Sequence, residues 1–504
     1  MNSIFKRLFL LVLLFTVTRI SYGQEQQTPM QAKNYSAPSS YDELSSFVSR
    51  LDDSSPLLKV EIIGKSSQGR NIYALEFSSS EFGKDKRKTR VLIFAQQHGN
   101  EQSGKDGALL LASKLLLPGN KYLLDKLDIV LIPLMNPDGS EANKRRNGNS
   151  ADLNRNHLIL TEPETIALHH FYDKYLFEVT MDVHEYSPFG ETWKKYGYRD
   201  NSDELLGSPT NIMVSEKIRN LSNQGFYPFL KKYCSENNVS CFIYAPGGPP
   251  EIDYIRHSTF DINDGRQSLA IQNSISLILE GMNGPDAFAE NIRHRSEAQM
   301  TAMRGLLEYS FINSPEIKRL VAEERKSLVN SKPGEKVAVQ LIHAPNGETL
   351  SLPLYSYHSG NDTVVIVHNY RPTVKSISDV TRPCGYLIPK SDAALVSWIN
   401  RLAFITQPFK AGKTTVMEQY SVVSMDSIDF EGDMVNNPEL RVKVLSSVTN
   451  PGNYIYIPTA QLKGNMIIIA LEPKSMLGLA TYPLFSYLVK AGTDYPVLRV
   501  VKKL

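Results

Sequence analysis

The stretch TRVLIFAQQHGNEQSGKDGALLLASKLLL, residues 89–117, contains the pattern that decides the fold. Its first part, TRVLIFAQQ, is a short and nearly all-apolar run, as expected of a strand that is buried on both faces. Its last part, SGKDGALLLASKLLL, has the apolar pattern of a helix. His98 and Glu101 lie between the two, where the predicted strand gives way to the predicted helix. Alone, this pair is open to two interpretations: half of a metal site, or two polar side chains that begin a helix.

The same alternation of strand and helix patterns continues on both sides of this stretch. Strands are predicted at KVEIIGK, NIYALEFS, LDIVLIPLMNP, EVTMDVHEYS and the end of SLAIQNSISLILEGMN. Helices are predicted at YDELSSFVSRL and PETIALHHFYDKYLF. Strands that alternate with helices predict the α/β class, with a mixed, largely parallel central sheet flanked by helices.

The length and the change of pattern along the chain predict two domains. A chain of 504 residues is longer than one compact core usually occupies. After SPEIKRLVAEERKSLVNSKPGEK, which is a charged helix pattern with a Pro-Gly turn, the segments become short and β-rich. We therefore predict a polar leader at residues 24–40, a catalytic domain at 41–325, and a smaller α+β or mostly β accessory domain at 337–504.

The amino terminus has the pattern of a cleaved signal peptide. Two adjacent basic residues precede an apolar stretch at residues 8–17, and the small residues Ser21 and Gly23 fit a signal-peptidase site. The alternative, a membrane anchor, needs an apolar stretch of about 20 residues, which is longer than this one. We predict a signal peptide at residues 1–23, a secreted or periplasmic protein, and no membrane span after cleavage.

Composition narrows the classes of function. A hydrophobic content of 41% with 21% charged residues is typical of a globular protein. The formal net charge is +2, and no dense Lys/Arg stripe with interleaved aromatic residues is present, so a nucleic-acid partner is not expected. Cys234 and Cys241 are close enough in sequence to form a disulfide, which leaves Cys384 over; three unpaired cysteines in the core are an equal alternative.

Three further stretches contain the polar residues that a reaction would need. MDVHEYS puts His184 at the carboxyl end of a predicted strand, and ISLILEGMN ends an apolar strand in Glu280. RRNGNSADLNRN contains Arg145, Asp152, Asn154 and Arg155. Ligands of open α/β sheets bind outside the carboxyl ends of the strands, so we expect these side chains to converge with His98 and Glu101.

The residue types in this set point to catalysis by zinc. Two histidines and one carboxylate, with a fourth position left for water, form a catalytic zinc set. Zinc lowers the pKa of a bound water from about 15.7 to about 7, and a separate glutamate, here Glu280, is then available to take a proton from that water. One arginine would stabilise the developing oxyanion, and another would bind a substrate carboxylate in bidentate fashion.

The ordered set HGNE, NPDGSEANKRRNGNSADLNRN, DVHEYS and LILEG resembles the zinc metallocarboxypeptidases of the carboxypeptidase A-like (funnelin) family. The resemblance runs from about Tyr41, in YDELSSFVSRL, to about residue 310, and parts of the second domain resemble segments of some bacterial family members. It implies one zinc ion on His98, Glu101 and His184, with Glu280 as general base and general acid.

The resemblance also implies roles for the segment that ends in DLNRN. Arg145 matches the family's oxyanion arginine, with Arg146 one residue away. Asn154 and Arg155 match the pair that binds the terminal carboxylate of the substrate. Asp152 matches a carboxylate that orients a zinc histidine.

Further residues would shape the substrate cleft. Tyr186 matches a tyrosine of the cleft, and Glu185 stands where the family often has serine, which would alter the charge of the cleft by one. Tyr254 is the expected mobile tyrosine that closes over substrate, with Tyr244 as the second choice. Arg266, in NDGRQS, lies near the position that sets specificity, and one hypothesis is a preference for acidic C-terminal side chains paired with it.

The function that these residues predict is an exported zinc carboxypeptidase that hydrolyses the C-terminal peptide bond of a peptide or protein substrate. One alternative is a zinc amidohydrolase or endopeptidase that acts on cell-wall peptides with the same zinc. Another alternative is a peptide-binding module without catalysis, although such a module has no need of a general base such as Glu280.

Overall fold

The computed structural model describes residues 25–285, 287–412, 414–448 and 450–502. The signal peptide predicted at residues 1–23 lies outside this part of the chain. Within the described ranges, none of the helices combines the length and the apolar character that a membrane crossing requires.

The helices of the described residues lie mostly in the first two thirds of the chain. The α-helices are α1 (Pro29–Ala32), α2 (Tyr41–Ser54), α3 (Ser103–Leu115), α4 (Leu123–Lys126), α5 (Pro137–Ala142), α6 (Pro163–Tyr175), α7 (Glu191–Lys195), α8 (Glu216–Leu221), α9 (Tyr227–Glu236), α10 (Gly265–Ala270), α11 (Ile292–Ile312), α12 (Ser314–Val329), α13 (Ala393–Arg401) and α14 (Gly464–Leu471). Short 3-10 turns lie at Pro118–Asn120, Leu153–Arg155, Pro451–Asn453, Leu479–Thr481 and Ser486–Leu488, and a π-helical stretch at Ser222–Phe226 joins α8 to α9.

The strands of the described residues run through the whole chain. They are β1 (Leu58–Lys65), β2 (Asn71–Phe77), β3 (Thr89–Ala95), β4 (Leu127–Ile132), β5 (Val179–Tyr186), β6 (Tyr198–Asp200), β7 (Glu204–Gly207), β8 (Cys241–Ile243), β9 (Ile255–Arg256), β10 (Ile275–Met282), β11 (Lys336–Ala344), β12 (Leu350–Ser356), β13 (Asn361–Val367), β14 (Tyr370–Arg371), β15 (Thr373–Thr381), β16 (Gly385–Pro389), β17 (Val416–Ser424), β18 (Ser427–Phe430), β19 (Asp433–Asn436), β20 (Glu439–Leu445), β21 (Tyr454–Pro458) and β22 (Leu498–Lys502).

An eight-stranded mixed sheet, in the order β1-β2-β4-β3-β5-β10-β7-β8, is the centre of the fold. Its middle strands β4, β3, β5 and β10 are parallel to their neighbours in that group. Antiparallel pairs join β1 to β2, β2 to β4 and β10 to β7. The predicted α/β class, with a largely parallel central sheet and flanking helices, is confirmed.

Strand β3 shows why its sequence is almost wholly apolar. Val91 and Ile93 belong to the hydrophobic core on one face of the sheet, together with residues of α3 and α11. Leu92 and Phe94 belong to a second core on the opposite face, together with residues of α6. Because helices cover both faces, successive side chains of the strand are buried in turn, as the continuous apolar run predicts.

The predicted polar leader is packed on the catalytic region. Helix α1 begins with a capping box at Thr28, and Met30 is fully buried. Ser39 donates its backbone N–H to the buried carboxylate of Asp106, on α3, at 3.0 Å. The buried contacts show why this short polar segment has a fixed place on the fold.

The C-terminal region is β-rich and shares a core with the catalytic region. Strand β12 pairs with β6, and β14 pairs with β9, so two small sheets contain strands from both regions. Trp398, on α13, is fully buried and donates its indole N–H to Leu158 O at 2.9 Å. The predicted boundary, between residues 325 and 337, contains the end of α12 at Val329 and the start of β11 at Lys336. The division into two domains stays a prediction, but the two regions are joined by continuous packing.

The sequence left open whether Cys234 and Cys241 form a disulfide or remain unpaired. Cys234 and Cys241 are free thiols in the structure and do not form the disulfide that their spacing allows. Burial and the neighbouring Cys241 raise the pKa of the Cys234 thiol, so this thiol stays protonated and unreactive.

Candidate active site

His98 and Glu101 lie in the loop that leaves the carboxyl end of β3 and enters α3. A turn joins them, in which Glu101 N–H donates to His98 O at 3.1 Å. His98 Nδ1 lies 2.7 Å from Glu101 Oε1. Gly99, between them, packs directly on the backbone of α5, because a Cβ at this position would fall 2.1 Å from the carbonyl carbon of Gly139. The glycine of HGNE thus allows the loop to approach α5 and present both side chains to one side.

His184 completes a group of three potential metal ligands. Its Nδ1 lies 3.0 Å from Glu101 Oε2 and 3.1 Å from His98 Nδ1. One ligand atom from each of the three side chains lies within 4.8 Å of the others, and all three residues are buried. Two imidazole nitrogens and a carboxylate that converge in this way are the donor set of a catalytic zinc site with a position left open. The residues therefore fit zinc.

The electrostatics of this group favour a cation. Burial lowers the pKa of His184, but the carboxylates of Asp182 and Glu101 outweigh burial and hold the pKa well above its ordinary value. Burial raises the pKa of Glu101, but the two histidines outweigh it and hold the pKa well below the usual range. The site thus stabilises positive charge on its histidines, and a bound metal ion would supply that charge in their place.

Each histidine is oriented by a carboxylate on its far side. His98 Nε2 lies 3.2 Å from Asp152 Oδ1. His184 Nε2 lies 2.9 Å from Asp182 Oδ1. A carboxylate at the second ring nitrogen fixes the tautomer and the direction of a ligating imidazole. We did not predict Asp182 from the sequence, although its place two residues before His184, on the same face of β5, was a usable signal.

A buried hydrogen-bond chain holds Asp182 in turn. Gln97 donates its amide N–H to both carboxylate oxygens of Asp182, at 2.9 and 2.8 Å. The amide oxygen of Gln97 lies 2.7 Å from His157 Nε2, and His157 Nδ1 lies 3.0 Å from His169 Nε2. Burial lowers the pKa of His157 to about 4, so this ring is neutral and acts as a hydrogen-bond partner. The sequence gave no reason to assign His157 or His169 a role.

Glu280 lies beside the ligand group because of strand register. Strands β10 and β5 are parallel, and Glu280 is paired directly with His184. The side chain of Glu280 lines the same cavity as His98 and Glu101. The pKa of the Glu280 carboxyl is raised to about 7, because burial and the nearby Glu101 raise it more than His184 lowers it.

The cavity beside these residues has a volume of about 260 Å³. Most of the residues that the sequence predicted line it: His98, Glu101, Arg145, Asn154, Arg155, Tyr186, Arg266 and Glu280. His184 and Asp152 lie behind this surface, in contact with the lining residues. Groups that were far apart in the sequence therefore form one site at the carboxyl edge of the sheet.

The oxyanion arginine was predicted at Arg145, and Arg146 is the next residue in the sequence. The two side chains occupy different environments. Arg145 donates from Nε to Asp152 Oδ2 at 3.0 Å, and its Nη1 lies 3.2 Å from His98 Nδ1. Arg146 donates to Ser150 O at 3.0 Å and is absent from the cavity lining. The structure therefore places Arg145, and not Arg146, beside the ligand group.

Asn154 and Arg155 lie in a 3-10 turn that Asp152 caps by accepting the Asn154 N–H at 3.0 Å. The Asn154 side chain is held by Gly265 N–H, which donates to its oxygen at 2.7 Å. Arg155 donates from Nη1 to Asn154 O at 2.8 Å. This turn fixes a guanidinium and a side-chain amide on the wall of the cavity.

The two tyrosine candidates occupy different places in the structure, and the choice between them stays a prediction. Tyr254 packs under the guanidinium of Arg371, 4.0 Å from its ring centre, and is not one of the residues that line the cavity. Tyr244, the second choice, does line the cavity, and the nearby Glu280 together with burial raises the pKa of its hydroxyl. The sequence could not separate them, because the loop between β8 and β9 turns back on itself and only the folded path decides which ring faces inward. Tyr186 lines the cavity and donates its hydroxyl to Ser202 O.

Two charged side chains that the sequence placed in the substrate cleft, Arg266 and Glu185, each have a partner of opposite charge within the protein. The side chain of Arg266 is 0% exposed, and its two terminal nitrogens make four hydrogen bonds, one of them to Asp264 at 3.1 Å. Most of its donors are thus used within the protein, which weakens its predicted pairing with an acidic substrate side chain. Glu185 forms a buried ion pair with Arg295 at 2.6 Å, so it does not change the net charge of the cleft by one.

The cavity also contains a pair that we missed, Arg256 and Glu431. Arg256 lies two residues after the tyrosine that we favoured. Glu431 comes from the C-terminal region, and nothing in its local sequence, a Glu-Gly dipeptide, associates it with a site at the central sheet.

Comparisons with known proteins agree with this site. Residues 44–224 match the family model described as zinc carboxypeptidase, a range that includes His98, Glu101 and His184. Carboxypeptidase 2 of Trichophyton rubrum is 23% identical over 480 residues, which are 92% of this chain and 87% of that protein. Human carboxypeptidase D is 24% identical over 270 residues, 46% of this chain and 19% of that protein. A metallo-carboxypeptidase structure from Burkholderia cenocepacia is 19% identical and covers 55% of this chain and 70% of its own, with a TM-score of 0.43.

The fold and the site together define a metal-dependent hydrolase, in which an α/β sheet presents a His/Glu/His group at its carboxyl edge. The chain contains a zinc carboxypeptidase domain, matched over residues 44–224, and is a metallocarboxypeptidase that resembles the carboxypeptidase A-like family. The recognition made from HGNE, DLNRN, DVHEYS and LILEG is confirmed.

Proposed function

We propose that this protein is an exported carboxypeptidase that releases the C-terminal residue of peptides, with Glu280 as general base and general acid. The observation that carries the proposal is the arrangement of the cavity. The His98–Glu101–His184 group and Glu280 lie side by side at the sheet edge, and Arg145, Asn154 and Arg155 line the same cavity.

His98, Glu101 and His184 would hold one zinc ion. Bound there, zinc supplies Lewis acidity and a water whose pKa is lowered to about 7. Asp152 and Asp182 hold the two imidazoles by Nε2, so that Nδ1 of each is turned toward the Glu101 carboxylate and would be free to bind the ion.

Glu280 moves the proton. Its carboxylate takes a proton as the water oxygen attacks the scissile carbonyl, and returns the proton to the nitrogen of the leaving residue. A pKa near neutrality suits both steps, because the same group must accept and release a proton. A cation on the neighbouring ligands lowers this pKa and keeps the group in the basic form before attack.

Two sets of donors bind the substrate. Arg145 presents a guanidinium beside the ligand group, where the carbonyl oxygen gains negative charge. Arg155 and Asn154 offer planar donors that suit a terminal carboxylate. A site that binds the free carboxylate one residue beyond the scissile bond acts on chain ends.

Zinc analysis and a panel of peptides test this function. We expect about one zinc per chain, and release of single C-terminal residues that stops when a chelator removes the metal and resumes when zinc is restored. Mass spectrometry of the products identifies each released residue. Cleavage inside the peptide, or turnover that survives complete metal removal, would contradict the proposal.

Export is tested separately. We expect expression in a bacterial host with a secretory pathway to give a mature protein outside the cytoplasm whose first residue is Gln24, because the small residues at 21 and 23 suit signal peptidase. Cell fractionation and amino-terminal sequencing measure both points. A full-length protein with Met1 that stays in the cytoplasm would show that the predicted signal is not used.

A further inference from the structure

Glu431 reaches the active-site cavity from the C-terminal region. It lies in the turn between β18 and β19, and its carboxylate Oε1 is 3.1 Å from Arg256 Nη1. Both side chains line the cavity that also contains Glu280 and Arg155. The C-terminal region therefore supplies a charged group to the substrate cavity of the catalytic region.

The backbone conformation of the turn is unfavourable for glutamate, which indicates that the side chain of Glu431 has a function here. Phe430 pairs with Asp433, which leaves Glu431 and Gly432 as a two-residue loop, and both have positive φ angles of 54° and 97°. Asn, Asp and Gly are the residues that fit the first position of such a loop best, so glutamate carries a conformational cost. The side chain of Glu431 is only 20% exposed, because it turns away from solvent toward the cavity.

Contacts on both sides hold the carboxylate in place. Phe430 packs on Phe260, with ring centres 5.5 Å apart, and anchors the turn against the loop that lines the cavity. His343 Nε2 lies 3.4 Å from Glu431 Oε1, on the side away from the cavity. Burial raises the pKa of Glu431, but His343 and Arg256 outweigh burial and hold it below its ordinary value. The side chain is therefore a carboxylate at neutral pH.

Arg256 and Arg266 differ in how far the protein uses their charges. Arg266 is paired with Asp264 and makes four hydrogen bonds from its terminal nitrogens. Arg256 donates to His257 O at 3.0 Å and otherwise pairs with Glu431. Glu431 is thus the group that decides whether the guanidinium of Arg256 is available to a substrate.

We propose that Glu431 is a specificity-determining residue that disfavours acidic C-terminal side chains in the cavity. It occupies Arg256, and it adds a negative charge where an acidic side chain would lie. Like charges brought together in a desolvated site repel strongly, whereas a neutral amide of the same shape can accept from Arg256 and donate to Glu431. The proposal rests on the proposed function, and it replaces the hypothesis that Arg266 makes the site prefer acidic residues.

A binding experiment tests this inference apart from turnover. In the zinc-loaded protein with Glu280→Gln, calorimetry measures the dissociation constants of two peptides that differ only in ending in Glu or Gln. With the wild-type residue Glu431, the protein is expected to bind the peptide that ends in Gln more tightly than the peptide that ends in Glu. Adding Glu431→Gln is expected to shift the ratio of the two constants by at least about tenfold in favour of the Glu peptide.

A matched control and a second variant complete the design. Asp429→Asn removes the same charge from an exposed position of the same hairpin, and we expect it to leave the ratio unchanged. Arg256→Met is expected to shift the ratio in the opposite direction, toward the Gln peptide, and it carries the test if Glu431→Gln does not fold.

The outcomes separate this inference from the proposed function. An unchanged ratio in a folded Glu431→Gln protein, an equal shift in Asp429→Asn, or no binding of either peptide would overturn the role of Glu431. If Glu431→Gln does not fold, an unchanged ratio in Arg256→Met overturns it. The expected shift in a protein that has Glu280 intact and yet releases no residue would refute the proposed carboxypeptidase mechanism and leave the role of Glu431 standing.

Discussion

Replacing Glu280 by glutamine is expected to lower kcat/KM for release of a C-terminal residue by about 10²–10⁴-fold, the range that general acid–base groups contribute. The amide has nearly the same shape as the carboxylate, but it cannot take a proton from water. Because Glu280 is not one of the three converging ligand residues, zinc content should stay at the wild-type level. Residue-release assays and metal analysis on the same samples measure the two effects.

Glu204 offers a matched control for this substitution. It is a buried glutamate on β7, the strand next to β10, where its paired residue is Gly281. Burial, together with nearby acidic groups, holds its pKa well above the ordinary value, so the side chain is already neutral and Glu204→Gln is expected to change activity little. Undiminished turnover in Glu280→Gln with zinc retained would overturn the mechanism, and loss of zinc would make Glu280 a ligand. Undiminished binding without any wild-type turnover would favour the inert binding module.

Replacing Arg155 by methionine is expected to weaken kcat/KM for peptides with a free C-terminus by at least about tenfold, since hydrogen bonds to charged groups contribute about 1.5–3 kcal/mol. Methionine keeps the apolar part of the side chain and removes the donors. Wild-type protein should lose a similar factor when the terminal carboxylate of the peptide is blocked as an amide. The two losses should not add, because they remove the two partners of one interaction.

Arg146→Met is the control for this experiment. Arg146 lies in the same segment, but it is exposed, bonds to Ser150 O and does not line the cavity, so its loss is expected to leave both peptides unaffected. Kinetics on the four combinations of protein and peptide measure the coupling. If blocked peptides are cleaved as fast as free ones by the wild type, the site is that of an amidohydrolase or endopeptidase, and the assignment of Arg155 is wrong.

Local sequence was sufficient for six of the eight strands of the central sheet and for the convergence of the potential metal ligands, whereas the short strands β7 and β8 were not predicted. The continuous apolar run of β3 and the helix pattern after it predicted a buried strand and its crossover, because each side chain of such a strand needs an apolar neighbour on one face or the other. His98, His184 and Glu280 each lie at or just beyond the end of such a strand. Since the carboxyl ends of parallel strands share one edge, their convergence followed from topology.

For the predicted residues of the substrate cleft, contacts with residues distant in sequence decided which side chains face the cavity. The sequence could rank Tyr254 above Tyr244, or assign Arg266 to a substrate, only by spacing. The folded chain turned Tyr254 onto Arg371 and gave Arg266 an internal partner in Asp264. Whether a charge is available to a ligand depends on which groups compensate it, and those groups come from other loops.

The sequence by itself determined most strands of the central sheet and the helices beside them, because those depend on periodicity, and its resemblance to the zinc carboxypeptidases indicated the three potential metal ligands. The tertiary structure alone decided the charge of the substrate cavity. Glu431 forms an ion pair with Arg256, although the two residues lie 175 positions apart in the sequence (431 minus 256). An ion pair of this kind forms only when the two regions pack together, so the pattern of neighbouring residues in the sequence cannot predict it.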